Sequence, residues 1–257
     1  MKYKGYLIDL DGTMYRGKEQ IQEAVDFVKD LKENGTPYLF ITNNSANTRQ
    51  QVTERLQKFG VPAQPEHVFT SSMATAEYIR RETKKAKIFM IGEQGLRDAL
   101  EGAGCEIVED EEADYVVMGI DRSLTYQKLE TACLAVRKGA KLLSTNKDVA
   151  FPTDRGLVPG NGALTSVVAV STGVDPVFIG KPEPIIMELA MQKLNLPKKH
   201  VLMIGDNYHT DILAGRNAGI DTLLVYTGVT RQVDDISPDE RPTYTVDSLD
   251  LWDVHKE

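Results

Sequence analysis

The amino-acid sequence predicts an α/β protein in which parallel sheets carry helices on both faces. Short apolar runs of strand length alternate with amphipathic runs of helix length along most of the chain. Several of the predicted helices end at a glycine, which is a common C-terminal cap. The chain has 257 residues, enough to bury a large core in one α/β domain or in two smaller ones.

The first part of the chain begins with a short apolar run, YKGYLIDL, of the length of a buried strand. The run that follows places its apolar residues on one helical face. The predicted elements, in chain order, are a strand over 3–10, a helix over 21–35, a strand over 37–42, a helix over 48–60 and a helix over 73–85.

The rest of the chain repeats this alternation. Six further runs are predicted strands, namely KIFMIG, ADYVVMGI, AKLLST, VFIG, HVLMIG and DTLLVYTG, and helices separate most of them. Residues 144–162 are rich in Pro, Gly, Asn and Asp and are predicted to form a long loop without regular structure. A loop of that length in a compact protein is usually functional.

Composition excludes several classes of protein. Hydrophobic residues make up 41% and charged residues 26%, which is typical of a globular protein, and the net charge of −8 disfavours a nucleic-acid binder. Cys105 and Cys133 match no metal-binding spacing, and so low a cysteine count suits a reducing cytosol. No signal peptide or membrane span is visible. We therefore expect a cytoplasmic protein with neither a nucleic-acid nor a membrane partner.

Polar residues gather where four of the predicted strands end. They are Asp9, Asp11, Gly12 and Thr13, then Thr42, Asn43 and Asn44, then Lys181, and finally Asp206, Asn207 and Asp211. Turn and capping preferences explain any one of these strand ends. All four together favour a site, because parallel sheets bind ligands beyond the carboxyl ends of their strands.

Asp9 and Asp11 repel each other unless a cation or a proton lies between them. Mg²⁺ prefers hard oxygen ligands and usually takes one or two carboxylates together with a substrate phosphate. Asp9 and Asp206 are candidate ligands, Lys181 adds positive charge, and Thr42 offers a hydroxyl donor. Such a site suits phosphoryl transfer, in which one carboxylate is the nucleophile and a second carboxyl group is acid and then base.

Three other ligand motifs do not fit the sequence. DLDGT has its glycine at the fourth position, which breaks the spacing of an EF-hand loop. Neither a P-loop nor a G-x-G-x-x-G segment after the first strand is present. His209 alone makes no metal cluster and is typical of a surface or turn residue.

Four segments together resemble the signature motifs of the haloacid dehalogenase-like hydrolase superfamily. They are DLDGT, ITNNS, GKPEP and GDNYHTDILAG, and they spread over nearly the whole chain. ITNNS, STNKD, GNGA and GKPEP are similar to the NagD-like phosphatases of subfamily IIA in particular. The resemblance implies a Rossmann-like parallel-sheet core with a mobile cap.

The resemblance also implies roles for the motif residues. Asp9 would be the nucleophile and Asp11 the general acid/base. The groups that would bind the substrate phosphate are Gly12, Thr42, Asn43, Asn44 and Lys181. Mg²⁺ would be held by Asp9, the backbone carbonyl of Asp11 and Asp206. Asp211 and Asn207 would lie behind these ligands, with Asp211 close to Lys181.

The spacing of the motifs locates the cap. One helix and one strand fill the interval between the first and second motifs, whereas the interval between the second and third is far longer than a crossover needs. In this superfamily, extra α/β material at that place is the type II cap. We therefore expect a catalytic core over residues 1–82 and 178–257, and a type II α/β cap that selects the substrate over 83–177.

The segment STNKDVAFPTDRG follows the predicted cap strand AKLLST. If the cap closes over the core, Asn146, Lys147 and Asp148 offer an amide, a cation and a carboxylate to the polar body of a substrate. Lys147 or Arg155 would pair with an acidic substrate such as a phosphorylated sugar acid. The alternative is that Asn-Lys-Asp is only a surface turn.

The sequence thus predicts a Mg²⁺-dependent phosphatase that hydrolyses sugar or acid-sugar phosphates through an aspartyl-phosphate. Nucleoside monophosphates, pyridoxal phosphate and phosphoglycolate are alternative substrates. A dehalogenase would need neither Asp11 nor the metal, and a phosphomutase usually carries its cap between the first two motifs. A non-catalytic sensor of a phosphorylated metabolite is an alternative of another class. The resemblance is compatible with a homodimer, but no interface is readable.

Overall fold

A computed structural model describes residues 2–153 and 155–253, and the chain divides into two compact units. The first unit comprises Met1–Thr42, Gln50–Phe69 and Lys181–Glu257, and the second comprises Asn43–Arg49 and Thr70–Gly180. Each unit contains its own sheet of five or six strands with helices packed on it. The α/β class predicted from the alternating runs is therefore confirmed.

The strands in chain order are β1 (Gly5–Ile8), β2 (Tyr15–Arg16), β3 (Glu19–Gln20), β4 (Tyr38–Thr42), β5 (Val68–Thr70), β6 (Lys87–Ile91), β7 (Glu106–Ile107), β8 (Tyr115–Met118), β9 (Lys141–Ser144), β10 (Ala150–Thr153), β11 (Gly156–Pro159), β12 (Val177–Phe178), β13 (Val201–Gly205), β14 (Asp221–Val225) and β15 (Tyr244–Val246).

The helices are α1 (Gln22–Glu33), α2 (Arg49–Lys58), α3 (Ser71–Glu82), α4 (Gln94–Gly102), α5 (Tyr126–Arg137), α6 (Asn161–Thr172), α7 (Pro184–Leu194) and α8 (Leu213–Ala218). Within the described residues, none of them combines the length and the apolar composition that crossing a bilayer requires.

The sheet of the first unit has the strand order β15-β14-β13-β1-β4-β5. Strand β1 lies in the middle and pairs in parallel with both neighbours, so that Ile8 lies beside Ile204 of β13 and Phe40 of β4. Because the three strands run in the same direction, their carboxyl ends lie side by side. Asp9, Thr42 and the end of β13 therefore meet at one edge of the sheet.

Helix α1 shows why the first unit folds as the sequence predicts. Its apolar residues recur at helical spacing, and Val25, Val28 and Leu31 are completely buried in the same core cluster as Tyr6 and Phe40 of the sheet. The side chains opposite this face are exposed and polar. Burial of one apolar stripe against the sheet supplies most of the stability of such a helix.

The second unit has a five-stranded sheet with the order β12-β9-β8-β6-β7, and its strand pairings are all parallel. Strand β8 is completely buried, and separate core clusters pack on the two faces of the sheet. The predicted insert over 83–177 lies within this unit, which also contains 43–49, 70–82 and 178–180. The role of the insert as a substrate-selecting cap stays a prediction.

The prediction of a structureless loop over 144–162 is wrong in its second half. Strands β10 and β11 form an antiparallel hairpin in which Phe151 pairs with Val158, and α6 begins at Asn161. Prolines in both strands hid the hairpin, because Pro disfavours the interior of a sheet. A two-stranded ribbon has only edge strands, so the missing N–H groups of Pro152 and Pro159 are tolerated. Asp154 lies outside the described residues.

Candidate active site

A buried ion pair lies at the carboxyl end of β1. The N–H of Asp9 donates to the carbonyl of Ile204 at 2.9 Å, which continues the sheet by one residue. Lys181 Nζ donates to Asp9 Oδ1, to Asp211 Oδ1 at 2.7 Å and to the carbonyl of Ile41 at 3.2 Å. Three acceptors match the three N–H groups of an ammonium. These bonds fix the charge of Lys181 where β1, β4 and the segment after β13 meet.

Three buried carboxylates surround this lysine. Asp9, Asp206 and Asp211 each bring an oxygen within 4.8 Å of the others. Asp206 accepts hydrogen bonds from the backbone N–H of Val229 at 2.6 Å and from Thr13 Oγ1 at 3.4 Å. Neither contact was predicted: Thr13 belongs to the DLDGT motif but had no assigned role, and the N–H of Val229 carries no sequence signal.

The cluster of Asp9, Asp206 and Asp211 is short of positive charge. Burial raises the pKa of Asp9 well above its usual value, Asp211 raises it further, and Lys181 offsets only part of the effect. Burial and the charge of Asp211 raise the pKa of Asp206 to about 6. Burial by itself would lower the pKa of Lys181, but Asp211 and Asp9 outweigh it, so that this pKa is raised.

These shifts have one electrostatic cause. Three carboxylates and one ammonium (three negative charges and one positive) leave a formal charge of −2 in a buried space. Buried charges of one sign need a counter-charge. Hard carboxylate oxygens at this spacing fit a divalent metal ion, which would supply that charge.

Gly12 lets the loop after β1 approach the carboxylates. Its φ of 92° lies in the region that favours glycine, and a Cβ built on it would lie 2.3 Å from Asp206 Oδ2. The hydroxyl of Thr227 donates to the carbonyl of Gly12 at 2.7 Å, and the N–H of Gly12 donates to the carbonyl of Tyr15 at 2.8 Å. The backbone at Gly12 is thus held against Asp206 with no room for a side chain.

Asp11 differs from Asp9 because its side chain is 64% exposed. Tyr15 Oη donates to Asp11 Oδ2 at 3.5 Å, and Arg55 lies 4.0 Å from Oδ1. Reduced solvation raises the pKa of Asp11, while Arg55 and Lys181 oppose the shift. The carboxyl group nevertheless faces solvent. A proton can therefore reach and leave this group.

Arg55 was missed from the sequence. It lies on α2, where the pattern indicates only an amphipathic helix, and its guanidinium stacks 4.2 Å from the ring centre of Tyr15. It also donates to the carbonyl of Gly17 at 2.8 Å. These contacts place a fixed positive charge beside Asp11 through packing between distant segments.

Comparison with known proteins gives the family. A model described as haloacid dehalogenase-like hydrolase matches residues 6–106, and one described as HAD-hydrolase-like matches residues 178–252. The chain is 58% identical over 250 residues to the 5′-nucleotidase YutF of Bacillus subtilis, with 97% of each chain covered. The chain belongs to the haloacid dehalogenase-like hydrolases.

Two further relatives agree with the NagD-like resemblance of this hydrolase. An acid sugar phosphatase of Staphylococcus haemolyticus is 51% identical, with 97% of this chain and 95% of the relative covered. The crystal structure of a single mutant of a thermostable NPPase from Geobacillus stearothermophilus superposes with a TM-score of 0.92 at 55% identity, with 98% of both chains covered.

The remaining predicted phosphate-binding residues of the hydrolase lie at the end of β4 or directly after it. Thr42 is buried and is the last residue of that strand. Asn44 Oδ1 accepts from the N–H groups of Ala46 and Asn47, both at 3.0 Å, so this side chain organises the turn. Asn43 lies in the second unit and donates to the Asp148 carboxylate at 3.2 Å and 3.4 Å.

The predicted specificity residues of the hydrolase lie in the second unit after β9. Asn146 is 4% exposed, donates to the carbonyl of Asn43 at 2.9 Å and accepts from the N–H of Asp148 at 3.1 Å. Lys147 is exposed, and so is Arg155 in the hairpin. The Asn146 side chain therefore organises the turn and ties it to Asn43, and the specificity role of residues 146–148 stays a prediction.

Asp211 and Asn207 of the fourth motif make different kinds of contact: Asp211 holds Lys181, and Asn207 holds the local backbone. The Asp211 carboxylate accepts from the N–H of Asn207 at 3.0 Å as well as from Lys181. Asn207 Oδ1 accepts from the N–H of His209 at 3.0 Å and so caps the following helical turn. His209 is exposed, as expected for a turn residue. Asn207 therefore shapes the backbone that orients Asp211.

Proposed function

We propose that this hydrolase is a Mg²⁺-dependent phosphatase that cleaves monoesters of small phosphorylated metabolites through a phosphorylated Asp9. The observation that carries the proposal is the buried cluster of Asp9, Asp206 and Asp211 around Lys181. Relatives named acid sugar phosphatase, 5′-nucleotidase and p-nitrophenyl phosphatase support the same reaction.

The donor set of the cluster fits Mg²⁺. The carboxylates of Asp9 and Asp206 and the backbone carbonyl of Asp11 would hold the ion, and all three are hard oxygen ligands. When bound, the ion neutralises negative charge on the cluster and on the phosphoryl group. Asp211 would stay hydrogen-bonded to Lys181 and so keep the ammonium in place.

The first half-reaction transfers the phosphoryl group to the protein. A carboxylate oxygen of Asp9 attacks phosphorus, and the bond from phosphorus to the ester oxygen breaks. Lys181 and the Thr42 hydroxyl balance charge on the phosphoryl oxygens. The carboxyl group of Asp11 gives its proton to the leaving oxygen, which departs as an alcohol.

The second half-reaction regenerates Asp9. The carboxylate of Asp11 takes a proton from a water molecule, whose oxygen attacks phosphorus. The bond between phosphorus and the Asp9 oxygen breaks, which releases inorganic phosphate. One carboxyl group can perform both proton transfers because the exposed position of Asp11 allows water to reach it.

We infer the substrate class from side chains of the second unit, whose residues 83–177 we assign to the cap. The carboxylate of Asp148 suits the hydroxyl groups of a sugar, and Lys147 or Arg155 suits a sugar acid, whereas the buried amide of Asn146 holds the loop that carries them. We therefore favour sugar and acid-sugar phosphates. A second candidate class is 5′-nucleoside monophosphates, because the relative at 58% identity is named a 5′-nucleotidase.

Phosphate release from a panel of esters tests this proposal. The panel is p-nitrophenyl phosphate, 6-phosphogluconate, AMP, pyridoxal phosphate and phosphoglycolate, each with Mg²⁺ and with EDTA. We expect release with Mg²⁺ and almost none with EDTA, and Asp9→Asn is the inactive control. Binding of an ester without release would indicate a sensor, and equal release in EDTA would exclude a metal-dependent reaction.

A further inference from the structure

The segment GNGA, residues 160–163, has no role in the site described above. It holds the loop over residues 144–148, here called the specificity loop, which carries Asn146 and Asp148. We propose that Asn161 is a positioning residue that fixes the specificity loop and thereby determines which phosphate esters the enzyme prefers. The proposal rests on the proposed phosphatase function.

The side-chain amide of Asn161 lies beneath the specificity loop and is 2% exposed. Its Nδ2 is within hydrogen-bond distance of four oxygens, two of which are hydroxyls able to rotate. They are Ser144 Oγ at 2.9 Å, Thr145 Oγ1 at 3.1 Å, the carbonyl of Asn146 at 3.1 Å and the carbonyl of Met118 at 3.1 Å. Three consecutive loop residues therefore surround one NH₂ group, whose two hydrogens can serve two of these oxygens at full strength.

The two carbonyls define the orientation of the Asn161 amide. A carbonyl oxygen only accepts hydrogen bonds, so the group that faces Met118 and Asn146 must be the NH₂ and not Oδ1. Ser144 Oγ adds a hydrogen bond to the carbonyl of Asn146 at 2.8 Å and is 2.9 Å from Thr165 Oγ1. The loop is thus tied to the first turn of α6 by a buried polar network.

The glycines on either side of Asn161 complete the support. The N–H of Gly162 donates to the carbonyl of Asp148 at 2.9 Å, and the N–H of Gly160 donates to the carbonyl of Val149 at 2.9 Å. A Cβ on Gly162 would lie 2.3 Å from the carbonyl oxygen of Lys147. The loop backbone therefore rests directly on the start of α6.

Contacts within the second unit connect the specificity loop to both chain segments that continue into the first unit. Asn146 donates to the carbonyl of Asn43, and the N–H of Gly180 donates to the carbonyl of Thr145 at 2.9 Å. Asn43 is joined by a peptide bond to Thr42, and Gly180 to Lys181. Thr42 and Lys181, two of the predicted phosphate-binding residues, are thus covalent neighbours of residues that the loop holds, so the position of the loop is linked through the chain to both of them.

Two variants displace the loop in different ways. Asn161→Asp keeps the shape of the side chain but turns an oxygen toward the carbonyls of Met118 and Asn146. Gly162→Ala keeps the Asn161 amide and presses a methyl group on the carbonyl of Lys147. Gly102→Ala is the matched control, because this exposed glycine also lies in a helix of the second unit, and its Cβ would meet no described atom within 4 Å.

The first measurement is amide hydrogen exchange in the full-length protein, followed in peptides that cover residues 144–149. We expect faster exchange there in Asn161→Asp and in Gly162→Ala, with peptides over β6 unchanged and Gly102→Ala like the wild type. Unchanged exchange of residues 144–149 in both variants would overturn the positioning role.

The second measurement compares kcat and KM for 6-phosphogluconate, AMP and p-nitrophenyl phosphate. We expect the ratio of kcat/KM for the preferred metabolite to that for p-nitrophenyl phosphate to fall at least about tenfold in both variants, chiefly through KM. Equal losses on all three esters would overturn the role in selectivity. A wild type that hydrolyses none of them would overturn the proposed function, whereas hydrogen exchange would still decide whether Asn161 holds the loop.

Discussion

At the scale of single residues, Lys181 joins the stability of the site to its chemistry. Its ammonium lies between Asp9 and Asp211, and both the lysine and its two partners are almost fully buried. Removal of the charge leaves buried carboxylates without their partner, which is more costly than the absence of the whole pair. It also removes the positive charge that would lie beside the phosphoryl group.

We predict that Lys181→Met lowers kcat/KM for p-nitrophenyl phosphate by about 10²- to 10³-fold, the loss typical of one charge-stabilising donor. Steady-state kinetics with saturating Mg²⁺ measure the effect. Lys128→Met is the matched control, because Lys128 Nζ pairs at 2.7 Å with Asp121, a buried carboxylate in the second unit. We expect the control to lower the thermal unfolding temperature without a comparable loss of activity. A similar loss of kcat/KM in both variants would contradict a specific catalytic role of Lys181.

The sequence predicts the charged residues of the site better than it predicts the neighbouring groups that hold them in place. Asp9 and Asp206 follow β1 and β13 of one parallel sheet, so that sheet was enough to predict that they meet. Lys181 follows β12, which belongs to the other sheet, so the expectation that it joins the site at a shared strand edge was wrong in its reason, and only the motif resemblance predicted its place beside Asp9. Arg55 beside Asp11 and the N–H of Val229 on Asp206 depend on contacts between distant segments. No local pattern encodes such contacts, and sequence reasoning could not find them.

At the scale of elements, the turn after β1 depends on one glycine. Gly12→Ala should lower kcat/KM for p-nitrophenyl phosphate by about 10²-fold, because the new methyl group would displace Asp206 by a fraction of an ångström or more. Gly17→Ala is the control for backbone strain. Gly17 also has a positive φ of 57°, but a Cβ built on it would meet no described atom within 4 Å. A similar effect of both substitutions on activity would show that only backbone strain matters.

The hairpin over 150–159 shows where prediction of elements fails. Gly, Pro and Asn in that stretch are ordinary loop signals, and they outweighed the short apolar pairs around Phe151 and Val158. Strand β12 covers only the first two residues of the predicted run VFIG, although the N–H groups of Ile179 and Gly180 still donate to the carbonyls of Ser144 and Thr145. Short edge strands depend on their partners more than on their own sequence.

At the scale of the whole molecule, each of the two units has its own parallel sheet, as the alternation of apolar runs predicts. Motif spacing predicts an insert with limits at 83 and 177, and those limits stay a prediction. Spacing does not reveal that Asn43–Arg49 groups with the second unit. That grouping depends on long-range contacts such as the hydrogen bond from the N–H of Ile120 to Ser45 Oγ at 3.2 Å.

The central claim is that Asp9 becomes phosphorylated, and mass spectrometry of the tryptic peptide over residues 5–16 tests it most directly. Asp11→Asn should slow hydrolysis of the intermediate by roughly 10²- to 10⁴-fold. The nitrophenolate of p-nitrophenyl phosphate needs little protonation to leave, so the phosphorylated protein should accumulate in this variant.

After acid quenching of Asp11→Asn with Mg²⁺ and p-nitrophenyl phosphate, we predict a phosphoryl group on Asp9. The same treatment of Asp9→Asn should leave the peptide unmodified and release no phosphate. Near-normal phosphate release by Asp9→Asn would contradict the account, and so would an unmodified peptide in an Asp11→Asn protein that still turns over.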